Sequence, residues 1–163
     1  REQGMRSEYE VERAVEEYSD MVRRICLLHL KNHSDSEDIF QTVFLKYALY
    51  GGDFESREHE KAWLIRVTIN ACKDLFRSFT RSKTVSLDVL AEEAASDNPE
   101  HREVLEAVMS LPRKYKDVIY LHYYEGYSGA EIGKILQCKE GSVYSLLSRG
   151  RDILRERLGD DDR

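Results

Sequence analysis

Apolar residues recur at helical spacing along almost the whole chain, and short polar or glycine-containing breaks divide the pattern into segments. Val11, Val15, Tyr18, Val22, Ile25 and Cys26, continued by Leu28 to Leu30, make one such stripe. Ser7 and Glu10 ahead of it have the spacing in which a serine accepts an early helical N–H and a glutamate reaches back, so a long first helix is predicted from there to about Lys31. Asn32 to Ser34 break the pattern, and Ser34 with Glu37 repeats the capping spacing. A second helix should open there, carry Ile39, Val43, Phe44, Tyr47 and Ala48 inward, and end at Gly51 and Gly52. A short polar loop over 53–57, with Phe54 inside it, leads to a third helix over about 58–79. That helix gathers Trp63, Leu64, Val67, Ala71, Leu75 and Phe79 on one side, which places Trp63 in the core rather than on a stacking surface.

From Thr80 to Asn98 the pattern lapses into small, acidic and polar residues, with Val85, Leu87, Val89 and Leu90 as the sizeable apolar ones; this reads as a tether between domains. Asn98 and Pro99 then suit the cap and first position of a helix through Val104, Leu105 and Val108. Leu111-Pro112 starts another with Tyr115, Val118, Ile119, Leu121, His122 and Tyr123, closed by Gly126. Ser128 and Glu131 form a further capping pair ahead of Ile132, Ile135 and Leu136. After Gln137, Cys138 and Lys139 a longer stripe follows, Val143, Leu146, Leu147, Gly150, Leu154 and Leu158. Helix, tight turn and longer helix make a helix-turn-helix, whose second helix has Ser142, Tyr144, Ser145, Ser148 and Arg149 on its outer side, where such motifs read DNA. A packed helical hairpin that touches no DNA has the same pattern. The predicted fold is all-α: two small helical domains, residues 1–79 and 99–163, joined by an acidic linker over 80–98, with the helix-turn-helix in the second.

Charge sharpens this picture. The formal net charge is -6, yet residues 60–83 hold six basic residues (Lys61, Arg66, Lys73, Arg77, Arg81, Lys83) against two acidic. Arg66, Asn70, Lys73 and Arg77 recur on one side of the third helix, a cation row with an amide in it that suits a strand backbone and one hydrogen-bonded base; an ordinary charged surface has the same pattern. The acid lies in residues 1–20 and 84–100, so the free chain should bind duplex weakly, since phosphate neutralisation supplies most non-specific affinity. Asp35, Asp38, Gln41 and Thr42 give the second helix an acidic-to-polar outer face, which taken alone reads as solvated. Cys26, Cys72 and Cys138 lie far apart with no Cys-x-x-Cys pair, and read as reduced core residues of a cytoplasmic protein. Apolar runs are only a few residues long, so neither a signal peptide nor a membrane insertion is expected. His29, His33 and Asp35 superficially resemble a metal site, but the helix break and the want of a third ligand cluster argue against it; no cofactor is expected.

Four stretches in order, "DSEDIFQTVFLKY" (35–47), "KAWLIRVTINACKDLFRS" (61–78), "LPRKYKDVIYLHYYEGYSGAEIGKIL" (111–136) and "EGSVYSLLSRGRDILRERL" (140–158), resemble bacterial RNA polymerase sigma factors of the extracytoplasmic-function group within the sigma-70 family. The resemblance implies a non-enzymatic promoter-specificity factor whose partners are core RNA polymerase, promoter DNA and an anti-sigma factor. It implies that Asp35, Asp38, Gln41 and Thr42 meet the polymerase clamp, Thr42 standing where the family usually has glutamate. It implies that Phe54 and Asn70 capture a base of the minus-ten strand while Arg66, Lys73 and Arg77 follow its phosphates. It assigns the minus-thirty-five duplex to Lys139, Ser142, Tyr144, Ser145, Ser148 and Arg149. Tyr144 and Leu146 depart from the basic or small polar residues common there, and Gly133 and Gln137 replace a common alanine and the turn glycine. The rival readings are a stand-alone helix-turn-helix repressor that dimerises through its N-terminal helices, and an interaction protein that occupies polymerase without promoter preference.

Overall fold

The computed structural model describes residues 4–30, 32–78 and 99–158, and the chain separates into two compact units, Arg1–Val85 and Ser86–Arg163. The tether over 80–98, the Asn98 cap, Phe79, Arg81 and Lys83 lie outside the described residues. Every regular element among the described residues is helical.

The first unit packs three helices against one another: α1 (Glu8–His29), α2 (His33–Leu49) and α3 (Arg57–Ser78). The Ser7–Glu10 capping box forms as expected and starts α1. The expected Ser34–Glu37 box does not. Asn32 caps α2 instead, its side chain accepting from the Asp35 N–H at 3.0 Å, so the helix begins at His33 and Ser34 lies in its first turn. An asparagine at the cap satisfies the same orphan donor, which is why the start moves with no loss. The core is Ala14, Val22, Ile25 and Cys26 of α1, Ile39, Val43 and Tyr47 of α2, and Leu64, Ile65, Ile69 and Cys72 of α3, all nearly inaccessible to solvent. The buried side of α3 is therefore centred on Ile65 and Ile69 rather than on Trp63 and Val67, which are half-buried at its margin. Ser56 caps α3, accepting from the His59 N–H at 3.0 Å.

The second unit comprises α4 (Pro99–Met109), α5 (Arg113–Ile119), α6 (Gly129–Leu136) and α7 (Glu140–Leu158), with α7 packed on the other three. Val104, expected inward, is exposed; Val108 and Met109 face the core. Beyond α5 the chain winds a π-helical turn, Tyr120–Tyr124, in which the Glu125 N–H reaches back to the Tyr120 carbonyl at 3.2 Å. This inserted residue rotates the following side chains out of the simple helical stripe. Tyr120 and Leu121 stay buried, His122 is half-buried, and Tyr123, expected inward, is exposed. The Ser128–Glu131 box starts α6, and Gln137 closes it at φ 61° and ψ 50°, the left-handed conformation a turn glycine would take. Cys26 and Cys72 are buried as expected, but Cys138 is exposed, because it belongs to this turn and not to a helix face.

Candidate nucleic-acid interface

The outer face of α2 carries Asp38 and Gln41 exposed and Asp35 and Thr42 half-buried. Continuing the same helical ridge are two leucines that the sequence pattern did not single out, Leu45 and Leu49, with 60% and 56% of their surface in water. The face is thus polar in its first half and apolar in its second, with both halves open to solvent. Leu45 could have been found from its place one turn beyond Gln41 and Thr42.

On α3, Asn70 and Arg77 are exposed and Arg66 and Lys73 half-exposed, so the row is presented to solvent as its spacing predicts. Asp74 lies 3.6 Å from Arg77, a loose surface pair of little energetic weight. The loop between α2 and α3 brings Phe54 against the N-terminal part of α3, ahead of this row. Its ring centroid lies 5.7 Å from that of Trp63 and 5.4 Å from that of His59, both on α3. Trp63 and Asn70 are seven residues apart, two turns on one side of the helix and about 10 Å along its axis. Phe54 is itself half-buried among Tyr47, Tyr50 and Trp63, so it is a member of an aromatic cluster and not a free-standing ring. Trp63, placed in the core by its periodicity, shares this cluster at the core's edge.

Beneath the cluster lies a buried charge. The Glu60 carboxylate accepts from the Tyr47 hydroxyl at 2.5 Å and from Arg13 at 2.7 Å, and Arg13 also pairs with Glu17, which Arg57 joins at 2.7 Å. Burial alone would raise the Glu60 pKa, but the bonds from Arg13 and Tyr47 outweigh it and hold the carboxyl below its ordinary value. Burial and the Glu60 charge push the Tyr47 phenol well up. Sequence pattern alone assigns Glu60 nothing beyond its sign, because its partners are 13 and 47 residues away.

In the second unit the outer side of α7 is bare. Ser142, Tyr144, Ser145, Ser148 and Arg149 are exposed, as is Lys139 just before the helix, while Val143, Leu147 and Gly150 are buried and Leu146 is half-buried. The Tyr144 hydroxyl donates to Glu140 at 2.9 Å, and that bond pushes its phenol pKa up, so the ring is neutral and its proton is engaged within the helix. Glu140 suits the positive end of the helix dipole and adds a negative charge at the start of this outer side. Among the described residues no group of histidine, cysteine and carboxylate side chains could hold a metal ion, and no helix is long and apolar enough to cross a membrane.

A bare second helix behind a capped first helix and a tight turn defines the class: a helix-turn-helix protein, here with a separate three-helix unit bearing a cation row. Two family descriptions match the chain, "Sigma-70 region 2" over residues 14–82 and "Sigma-70, region 4" over residues 101–154. The chain belongs to the sigma-70 family, in its extracytoplasmic-function group. It is 29% identical to the ECF RNA polymerase sigma factor SigW of Bacillus subtilis, across 90% of this chain and 87% of that one. It is 30% identical to the ECF RNA polymerase sigma factor SigE of Mycolicibacterium smegmatis, across 88% of this chain but 60% of that longer one. Its fold is similar to that of the sigma factor RpoE from Bartonella quintana, solved in complex with the anti-sigma factor NepR, with a TM-score of 0.74 at 20% identity over 92% of this chain and 97% of that one.

Proposed function

We propose that this sigma factor divides its work between two surfaces: residues 1–79 hold core RNA polymerase and capture the opened minus-ten strand, and residues 99–163 read the minus-thirty-five duplex. The α2 face of Asp35, Asp38, Gln41 and Thr42, extended by Leu45 and Leu49, meets the polymerase clamp. Phe54 and Asn70 bound the place of a captured base, and Arg66, Lys73 and Arg77 neutralise the phosphates beside it. Unstacking a base costs a few kcal/mol, a cost that an already opened bubble largely removes. Lys139, Ser142, Tyr144, Ser145, Ser148 and Arg149 face the major groove, with Tyr144, Ser145 and Arg149 as the principal readers. The chain supplies selectivity and no catalysis, works in the cytoplasm, and is held inactive by an anti-sigma factor; the bound partner in the Bartonella complex supports that control.

The observation that carries this reading is Asn70, an exposed amide set within a row of cations on α3. A repressor acting through its helix-turn-helix alone leaves that row without a use. The test is transcription from promoter libraries by core polymerase with wild-type chain or Asn70→Ala. Selective initiation by the wild type that weakens with the substitution supports the assignment; selectivity indifferent to Asn70 refutes it.

A further inference from the structure

The segment ahead of α1 contributes one residue to the loop between α2 and α3. Arg6 is only 7% exposed although it is a cation near the beginning of the described chain. Its Nε donates to the Tyr47 carbonyl at 3.2 Å, its Nη2 to the Gly52 carbonyl, and its backbone N–H to the Ala48 carbonyl at 2.8 Å. Tyr47 and Ala48 are in the last turn of α2, where a cation is favoured; the Tyr47 carbonyl accepts from the Tyr50 N–H as well, at 3.3 Å. The guanidinium carbon also lies 4.8 Å from the ring centroids of both Tyr47 and Phe54, and 5.8 Å from that of Tyr50. Glu10 is a more distant carboxylate partner, at 3.4 Å.

These contacts tie the end of α2, the loop at Gly52 and the Phe54 ring to one planar group. Phe54 otherwise meets α2 and the residue after it through ring contacts with Tyr47 and Tyr50, which tolerate sliding, while the next residue is tied to α3 by the Glu55 N–H donating to His59 Nδ1 at 3.0 Å. A lysine could satisfy one carbonyl as a point charge, but it lacks the fork that bonds two carbonyls while lying over two rings. We propose that Arg6 is a positioning residue for promoter reading: it holds the 50–54 loop so that Phe54 is already placed when the minus-ten base arrives. This rests on the base-capture role proposed for Phe54, and it adds a determinant of selectivity that never touches DNA.

The test uses core polymerase assembled with wild type, Arg6→Lys, Arg6→Gln or Phe54→Ala. Each is titrated with a single-stranded oligonucleotide of the minus-ten sequence recovered from the library, intact or abasic at each position in turn. Arg6→Lys and Arg6→Gln are expected to shrink the intact-to-abasic affinity ratio at the captured position by roughly tenfold, towards that of Phe54→Ala. Affinity for the abasic strand and for core should stay as in wild type, a split that a loss of folding does not produce. An unchanged ratio in both Arg6 variants while Phe54→Ala loses it overturns the proposal. So does an equal fall for intact and abasic strands, or failure of both variants to assemble, since Arg6 would then serve folding alone. If Phe54→Ala itself keeps the ratio, base capture by Phe54 fails and the role of Arg6 falls with it.

Discussion

Gln137 sits at φ 61° with a Cβ, in a conformation where glycine costs nothing. Gln137→Gly should therefore raise the stability of the second unit by about 1 kcal/mol, read as a higher melting temperature. The sequence disclosed this position, because a turn must follow the Ile132, Ile135 and Leu136 stripe and no glycine is there to make it. Glu60 was not legible in the same way. It is one acid in a basic stretch until the fold brings Arg13 and Tyr47 to it. Its depressed pKa gives a sign: the stabilisation is complete above the ordinary carboxylate value of 4.5 and is lost as pH falls through the lower folded value. The first unit should thus melt at progressively lower temperature as the pH is taken below about 4.5. Glu60→Gln should remove about 1–3 kcal/mol at neutral pH and flatten that acid dependence, as followed by circular dichroism.

The helices themselves were the most legible part, since three-and-four spacing of apolar residues and serine–glutamate capping pairs are local signals. Where an element deviates from ideal winding, those signals mislead: the π-helical turn at Tyr120–Tyr124 turns Tyr123 outward despite a pattern that places it inward. On α3 the cation row faces solvent as its spacing predicts, but periodicity centres the apolar side too near Trp63, because a large aromatic residue dominates any such count while packing here at the core's edge. On α2 the pattern is silent instead: Leu45 and Leu49 fall outside the inward stripe, and their exposure is visible only in the fold. Leu45→Ser should weaken core polymerase binding about tenfold with no change in melting temperature, because the leucine is exposed in the free chain. Titration of labelled core against both chains measures it.

At the scale of the molecule, charge is distributed rather than summed. A chain of net charge -6 has little long-range attraction for duplex DNA, and α7 adds Arg149 and Arg151 to an outer side that also carries Glu140. The free chain should bind promoter duplex at least 100-fold more weakly than its complex with core polymerase, and with a shallow dependence on salt, as fluorescence anisotropy over a range of ionic strength would show. Promoter affinity is then conditional on assembly. The ring cluster beside the α2–α3 loop has a practical bearing on that assembly. Trp63 is the chain's single tryptophan, and its ring lies 4.9 Å from that of Tyr50 and 5.7 Å from that of Phe54. The protein thereby carries an intrinsic optical probe at the place proposed for strand capture, one whose emission would follow strand arrival in real time without any dye.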